Sequence, residues 1–169
     1  MTTPLNVLFL CTHNSARSIL AEALLNHLGG ERFRGFSAGS SPREAQKPNP
    51  IGLEVLAEAG LPTDGLHSKC WDVFAAPDAP RMDLIITVCD SAAGETCPIW
   101  PGRPATAHWG YADPSAVAGG PDAQRAAFRQ TLLALRQRIS LLISLPTSEL
   151  SPERLQGSAR ALAGGEHVG

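Results

Sequence analysis

Short apolar runs alternate along this chain with segments whose apolar residues recur at three and four, and that alternation restricts it to a parallel sheet wrapped in helices. The run Asn6, Val7, Leu8, Phe9, Leu10 is continuous rather than alternating, as a strand buried on both faces must be. Residues 16–28 then set Ile19, Leu20, Ala23, Leu24 and Leu28 on one helical face, which Gly29 and Gly30 end. Residues 33–38 form a second strand before a Gly/Ser/Pro loop at 39–42. Residues 50–59 carry Ile51, Val55, Leu56 and Ala59 on a helical face closed by Gly60. Residues 83–88 are the clearest apolar strand, 106–108 a short last one, and 123–145 the longest helix. The order β-α-β-α-β-(β)-α gives an α/β fold: a single-domain, doubly wound, four-stranded parallel sheet with helices on both faces.

With 169 residues and 43% hydrophobic content the chain can bury one core. The domain is expected over residues 1–146. Beyond Pro146 the pattern weakens, so residues 147–169 read as a C-terminal appendage with one short helix at 152–162 and a frayed end. A net charge of −2 gives neither the basic excess of a nucleic-acid binder nor an acidic tail. The apolar runs are far too short to span a bilayer, and the N-terminus lacks the pattern of a signal peptide, so the expected location is the cytoplasm.

Between the first strand and the first helix lies Cys11, Thr12, His13, Asn14, Ser15, Ala16, Arg17, Ser18, of the form C-x5-R-S. A loop at that place aims backbone N–H groups at one point, and the helix N-terminus adds its positive dipole end. A tetrahedral oxyanion is the natural occupant, and residues 12–18 are its candidate cradle. Arg17 adds a planar fork of donors that matches such oxygens. The same field favours the thiolate form of Cys11. Ser18 can donate a hydrogen bond to that sulfur, and Asn14 can hold the loop in shape. Nucleophile and anion cradle therefore share one turn. His13 reads as an exposed loop histidine.

The chain has four cysteines: Cys11, Cys70, Cys89 and Cys97. In a reducing compartment they are not structural staples, and no CxxC pair suggests zinc. Cys89 ends the third strand. In a sheet of order 2-1-3-4 the first and third strands are neighbours, about 4.8 Å apart, and their carboxyl ends flank the switch point where ligands bind. A disulfide needs Cα atoms within about 7 Å, so Cys11 and Cys89 can bridge after a modest loop movement. If residues 89–97 were helical, Cys97 would lie about 12 Å from Cys89. The small, glycine-centred linker can instead loop back, and Cys97 is expected to resolve a disulfide made by Cys89. Cys70 has no such placement and reads as a spectator. A third group, Asp113 before Pro114, sits in a loop with turn chemistry and can act as a general acid; His108 and Trp109 before it read as packing residues.

Together these segments resemble the low-molecular-weight protein tyrosine phosphatase superfamily and, within it, the thiol-relay arsenate reductases. The resemblance rests on Cys11 to Ser18, on Val88 to Pro98 with its two thiols, and on His108-Trp-Gly-x-x-Asp113-Pro114. It implies that Cys11 attacks arsenate held by the loop and Arg17 while Asp113 protonates the departing oxygen. Cys89 and Cys97 then carry the disulfide outward for thioredoxin, glutaredoxin or a small thiol to reduce. Phosphate or sulfate would occupy the same loop. No cofactor is required, although the resemblance also implies a potassium ion near Asn14, Glu22, Ser37 and Asp72; Glu22 reads equally as a solvated helix residue. Two features depart from the family pattern: the Cys-x7-Cys spacing is one residue longer than in the best-known thioredoxin-coupled members, and His13 stands where glycine is usual. Two rivals remain, a tyrosine phosphatase that leaves Cys89 and Cys97 idle, and a non-enzymatic redox or oxyanion sensor.

Overall fold

The computed structural model describes residues 4–42, 46–89 and 104–165. Strands β1 (Leu5–Cys11), β2 (Phe33–Gly39), β3 (Leu84–Thr87) and β4 (Ala105–His108) form one parallel sheet in the order β2-β1-β3-β4. The doubly wound sheet expected from the alternation is therefore present. Its helices are α1 (Arg17–Leu28), α2 (Pro50–Glu58), α3 (Asp72–Ala75), α4 (Pro121–Ile143) and α5 (Leu155–Gly165).

Local chemistry sets the helix ends. Asn49 caps α2, its Oδ1 accepting from the N–H of Ile51 at 2.8 Å, and Pro50 supplies the fixed φ of a first helical residue. Helix α4 begins at residue 121 rather than 123 because Gly119 and Gly120 take positive φ and Pro121 restarts the chain as helix. Its buried residues Phe128, Leu132, Leu135, Ile139 and Leu142 step by four and three and form its core stripe.

The strand pleat divides the core. Val7, Phe9 and Cys11 face a large cluster with Leu24, Leu25, Leu56, Phe128, Leu135 and Ile139 from α1, α2 and α4. Leu8 and Leu10 face a smaller cluster with Trp71, Phe74, Met82 and Ile85. Helices cover both faces as expected, unequally among the described residues: α3 alone lies on the smaller cluster.

Residues 147–165 are not an appendage. A short 3-10 turn (Thr147–Leu150) and α5 bury Leu150, Leu155 and Ala159 in the large cluster. The edge strand β4 explains the docking. Its outward backbone groups at Thr106 are taken up by α5, where Gln156 Oε1 accepts from Thr106 N (3.1 Å) and Arg160 Nε donates to Thr106 O (3.0 Å). Trp109 Nε1 also donates to Ala159 O at 3.0 Å. The sequence pattern is weak there because the buried residues Leu150, Leu155 and Ala159 are widely spaced among Ser, Gly and Ala. Among the described residues no helix is long and apolar enough to cross a membrane.

Candidate active site

The loop from Cys11 to Ser18 joins β1 to α1 at the carboxyl end of the central strands, as the sequence places it. An outer layer fixes its peptide planes. Ser40 N donates to Cys11 O (3.0 Å), Ser41 N to Thr12 O (2.8 Å), Ser68 Oγ to Asn14 O (2.6 Å) and Asn49 N to Ser15 O (2.8 Å). Each carbonyl is held outward. In a trans peptide the N–H of the next residue then points the opposite way, towards the loop centre. Among the described residues none accepts a backbone hydrogen bond from the N–H of His13, Asn14, Ser15 or Ala16. Asn14 takes the left-handed conformation (φ 55°), which Asn tolerates best after Gly. Helix α1 has no side-chain cap, so its first N–H groups are not claimed by a capping oxygen. These are the elements of an anion cradle.

Cys11 is buried, and its Sγ lies 2.8 Å from Ser18 Oγ. The direction of that bond follows from its neighbours. Lys69 N donates to Asn14 Oδ1 (2.9 Å), which fixes the amide; Asn14 Nδ2 then donates to Ser18 Oγ (2.8 Å). Ser18 Oγ thus accepts a hydrogen bond from Asn14 and has its own O–H to offer to sulfur.

Arg17 reaches across to the loop after β4. Its Nη1 donates to Tyr111 O at 2.8 Å, and its Nη2 lies 3.7 Å from Asp113 Oδ2. Among the described residues, buried Arg17 Nε has no hydrogen-bond partner. Asp113 caps a short 3-10 turn (Pro114–Ala116), its Oδ1 accepting from Ser115 N (2.9 Å) and Ser115 Oγ (2.7 Å). Its Oδ2 therefore faces Arg17, where a general acid would act. Trp109 is a packing residue as expected, fully buried against Phe9, and His108 Nδ1 pairs with Thr87 Oγ1 at 2.7 Å. His13 Nδ1 meets Ser41 O at 2.9 Å, which tethers the ring to the outer loop.

Cys89 follows β3. Leu10 pairs with Thr87 in register and Val88 N bonds to Leu10 O, so Cys89 comes beside Thr12, whose Oγ1 is 3.5 Å from its sulfur. Cys11 and Cys89 are both reduced, buried, and members of one core cluster. Cys97 and the linker before it lie outside the described residues. Cys70 is half-buried, with its sulfur 3.5 Å from Asp72 Oδ2.

The potassium set is corrected. Asp72 is exposed, and the place beside Glu22 and Ser37 is taken by the Lys69 ammonium, which donates to Ser37 O (2.9 Å) and His67 O (2.8 Å) and lies 3.8 Å from Glu22 Oε1. Nor is Glu22 a solvated helix residue: it accepts a hydrogen bond from Ser37 Oγ. Two positive charges at ion-pair separation repel strongly away from bulk water, so these residues do not fit a potassium ion. Burial pushes the Lys69 pKa below the ordinary lysine value, and Glu22 only partly offsets it. Sequence reasoning missed Lys69, Ser68 and Gly39, which belong to no periodic segment's apolar face. A Cβ on Gly39 would lie 2.6 Å from Thr12 O, so only glycine lets the loop sit on β2.

A thiol, a guanidinium and a carboxylate gathered at the strand-to-helix turn of a 2-1-3-4 parallel sheet define a cysteine-nucleophile enzyme that binds tetrahedral oxyanions. The chain belongs to the low molecular weight phosphotyrosine protein phosphatase family, whose pattern matches residues 6–154. An arsenate reductase of Bacillus licheniformis is 32% identical over 133 residues, covering 79% of this chain and 91% of that protein. The crystal structure of an arsenate reductase from Archaeoglobus fulgidus superimposes with a TM-score of 0.62 at 28% identity, covering 82% of this chain and 99% of that one. A thioredoxin-dependent arsenate reductase of Corynebacterium glutamicum gives a TM-score of 0.54 at 26% identity, covering 84% of this chain and 65% of that one.

Proposed function

We propose that this chain reduces arsenate to arsenite through a Cys11–Cys89–Cys97 relay. The observation that carries the reading is the second buried thiol: Cys89 shares a core cluster with Cys11 and touches the nucleophile loop at Thr12. Phosphoester hydrolysis has no use for a thiol there. The arsenate reductases among the relatives support the choice of oxyanion.

Arsenate is held by the loop N–H groups and Arg17. The Cys11 thiolate forms an S–As bond as one arsenate oxygen leaves, protonated by Asp113 as water. The Cys89 thiolate attacks Cys11 sulfur. An S–S bond forms, the S–As bond breaks with its electron pair on arsenic, and arsenic(V) becomes arsenic(III). Cys97 then attacks Cys89, and Cys11 leaves as a thiolate ready for the next cycle. A dithiol donor such as thioredoxin supplies two electrons and two protons to the Cys89–Cys97 disulfide. Phosphate and sulfate are expected to compete for the loop. The chemistry suits the reducing cytoplasm.

The test is Cys89→Ser assayed on both substrates. Arsenate turnover is expected to vanish while hydrolysis of a small phosphoester, if present, is unchanged. Undiminished arsenate turnover in this variant would overturn the relay.

A further inference from the structure

The side chains around Glu22 form a closed charge cluster beneath the nucleophile loop. Glu22 comes from α1, Ser37 from β2, and Lys69 from the segment that pairs with Gly39. The Glu22 and Lys69 side chains are 16% and 13% exposed, so this is no surface pair. An ammonium has three donors. Here it faces Ser37 O, His67 O and the Glu22 carboxylate, and the other Glu22 contact is the Ser37 hydroxyl. The Lys69 backbone is as fully engaged. Its N–H holds Asn14 Oδ1 and its carbonyl accepts from Gly39 N at 2.8 Å. One residue thus neutralises the carboxylate under the loop with its side chain and orients Asn14 with its backbone.

We propose that Lys69 is the resident cation of this protein: its ammonium, fixed between Glu22 and the Ser37 and His67 carbonyls, makes the enzyme indifferent to potassium and positions Cys11 through Asn14 and Ser18. The path is continuous. The ammonium clamps residues 67–69, Lys69 N fixes the Asn14 amide, Asn14 donates to Ser18, and Ser18 is left to donate to Cys11 sulfur. A metal ion in this place would leave when salt is diluted; a tethered ammonium does not. The inference rests on Cys11 as nucleophile in the reading above, but not on arsenate being its substrate.

The first arm uses the wild-type protein in equal ionic strengths of sodium, potassium and a large organic cation. Arsenate turnover and the rate of Cys11 alkylation by iodoacetamide are expected to be the same in all three. A severalfold gain specific to potassium overturns the proposal. The second arm uses Lys69→Met, which keeps the length of the side chain and strands Glu22. Its Cys11 alkylation rate at neutral pH is expected to fall roughly tenfold, the scale of losing a group that orients a functional side chain. The alkylation profile should move to higher pH, and potassium or ammonium should restore part of the loss. Lys69→Arg should retain most of the rate. Where the single variant does not fold, Glu22→Gln combined with Lys69→Met removes both charges together, and the same fall in alkylation is expected there. A wild-type alkylation profile in any Lys69→Met background overturns the positioning role. Because alkylation is read apart from arsenate turnover, failure of this inference and failure of the proposed reaction are distinguishable.

Discussion

Gly39→Ala tests how tightly the nucleophile loop is seated. An added Cβ would lie 2.6 Å from Thr12 O, 2.9 Å from Asn14 N and 2.9 Å from His13 C. All three are backbone atoms, so no side chain can rotate away. A carbon and an oxygen in ordinary contact stand about 3.3 Å apart, so the loop must shift by about 0.7 Å. That displaces the residues that orient Cys11 and the N–H groups of the cradle. A misplacement near 1 Å costs on the order of a hundredfold in rate, so a fall in kcat of roughly ten- to a hundredfold is expected. Overpacking should lower stability by about 1–3 kcal/mol. Gly52→Ala is the control: its Cβ would meet Phe128 Cε1 at 3.0 Å, a side-chain ring rather than the backbone of the nucleophile loop. It should cost stability with little change in kcat. Steady-state turnover and urea unfolding of both variants measure this. Wild-type kcat in Gly39→Ala, with stability unchanged, would refute the argument from close approach.

Three further outcomes follow from the same structure. Deleting residues 147–169 uncovers the Thr106 edge and the Leu150, Leu155 and Ala159 contacts, so the truncated chain should melt lower and aggregate through β4, as seen by thermal unfolding with light scattering. Arg138→Met removes a buried guanidinium 5.5 Å from the Trp109 ring and 5.0 Å from the Tyr111 ring. Desolvated contacts of this kind are worth about 2 kcal/mol, and kcat should also fall because Tyr111 O anchors Arg17, which urea unfolding and turnover check together. For Lys69, burial disfavours the charged form, so the folded protein releases its proton before the unfolded chain does. The stability of wild type relative to Lys69→Met should therefore improve as pH rises through the window just below the ordinary value of 10.5, which unfolding at stepped pH measures.

The parts that rest on local periodicity were legible. Continuous apolar runs gave the buried strands, the three-and-four spacing gave α1, α2 and α4, and a C-x5-R-S segment between strand and helix gave Cys11, Arg17 and Ser18 their roles. Cys89 was placed because a parallel sheet puts the first and third strand ends together. What escaped was long-range. Lys69 meets Glu22 across 47 positions of chain, and no spacing rule connects them. The docking of α5 depends on unpaired Thr106 groups that exist only once β4 is an edge. The potassium set, carried over from the family resemblance, has the same gap: none of its four residues reports that an ammonium stands beside Glu22 and Ser37.

The relay is tested most directly by peptide-mapping mass spectrometry of the protein after a single arsenate turnover without reductant. The expected product is one equivalent of arsenite with a Cys89–Cys97 disulfide and Cys11 as the free thiol. Arsenite release with Cys89 and Cys97 both still reduced would contradict it.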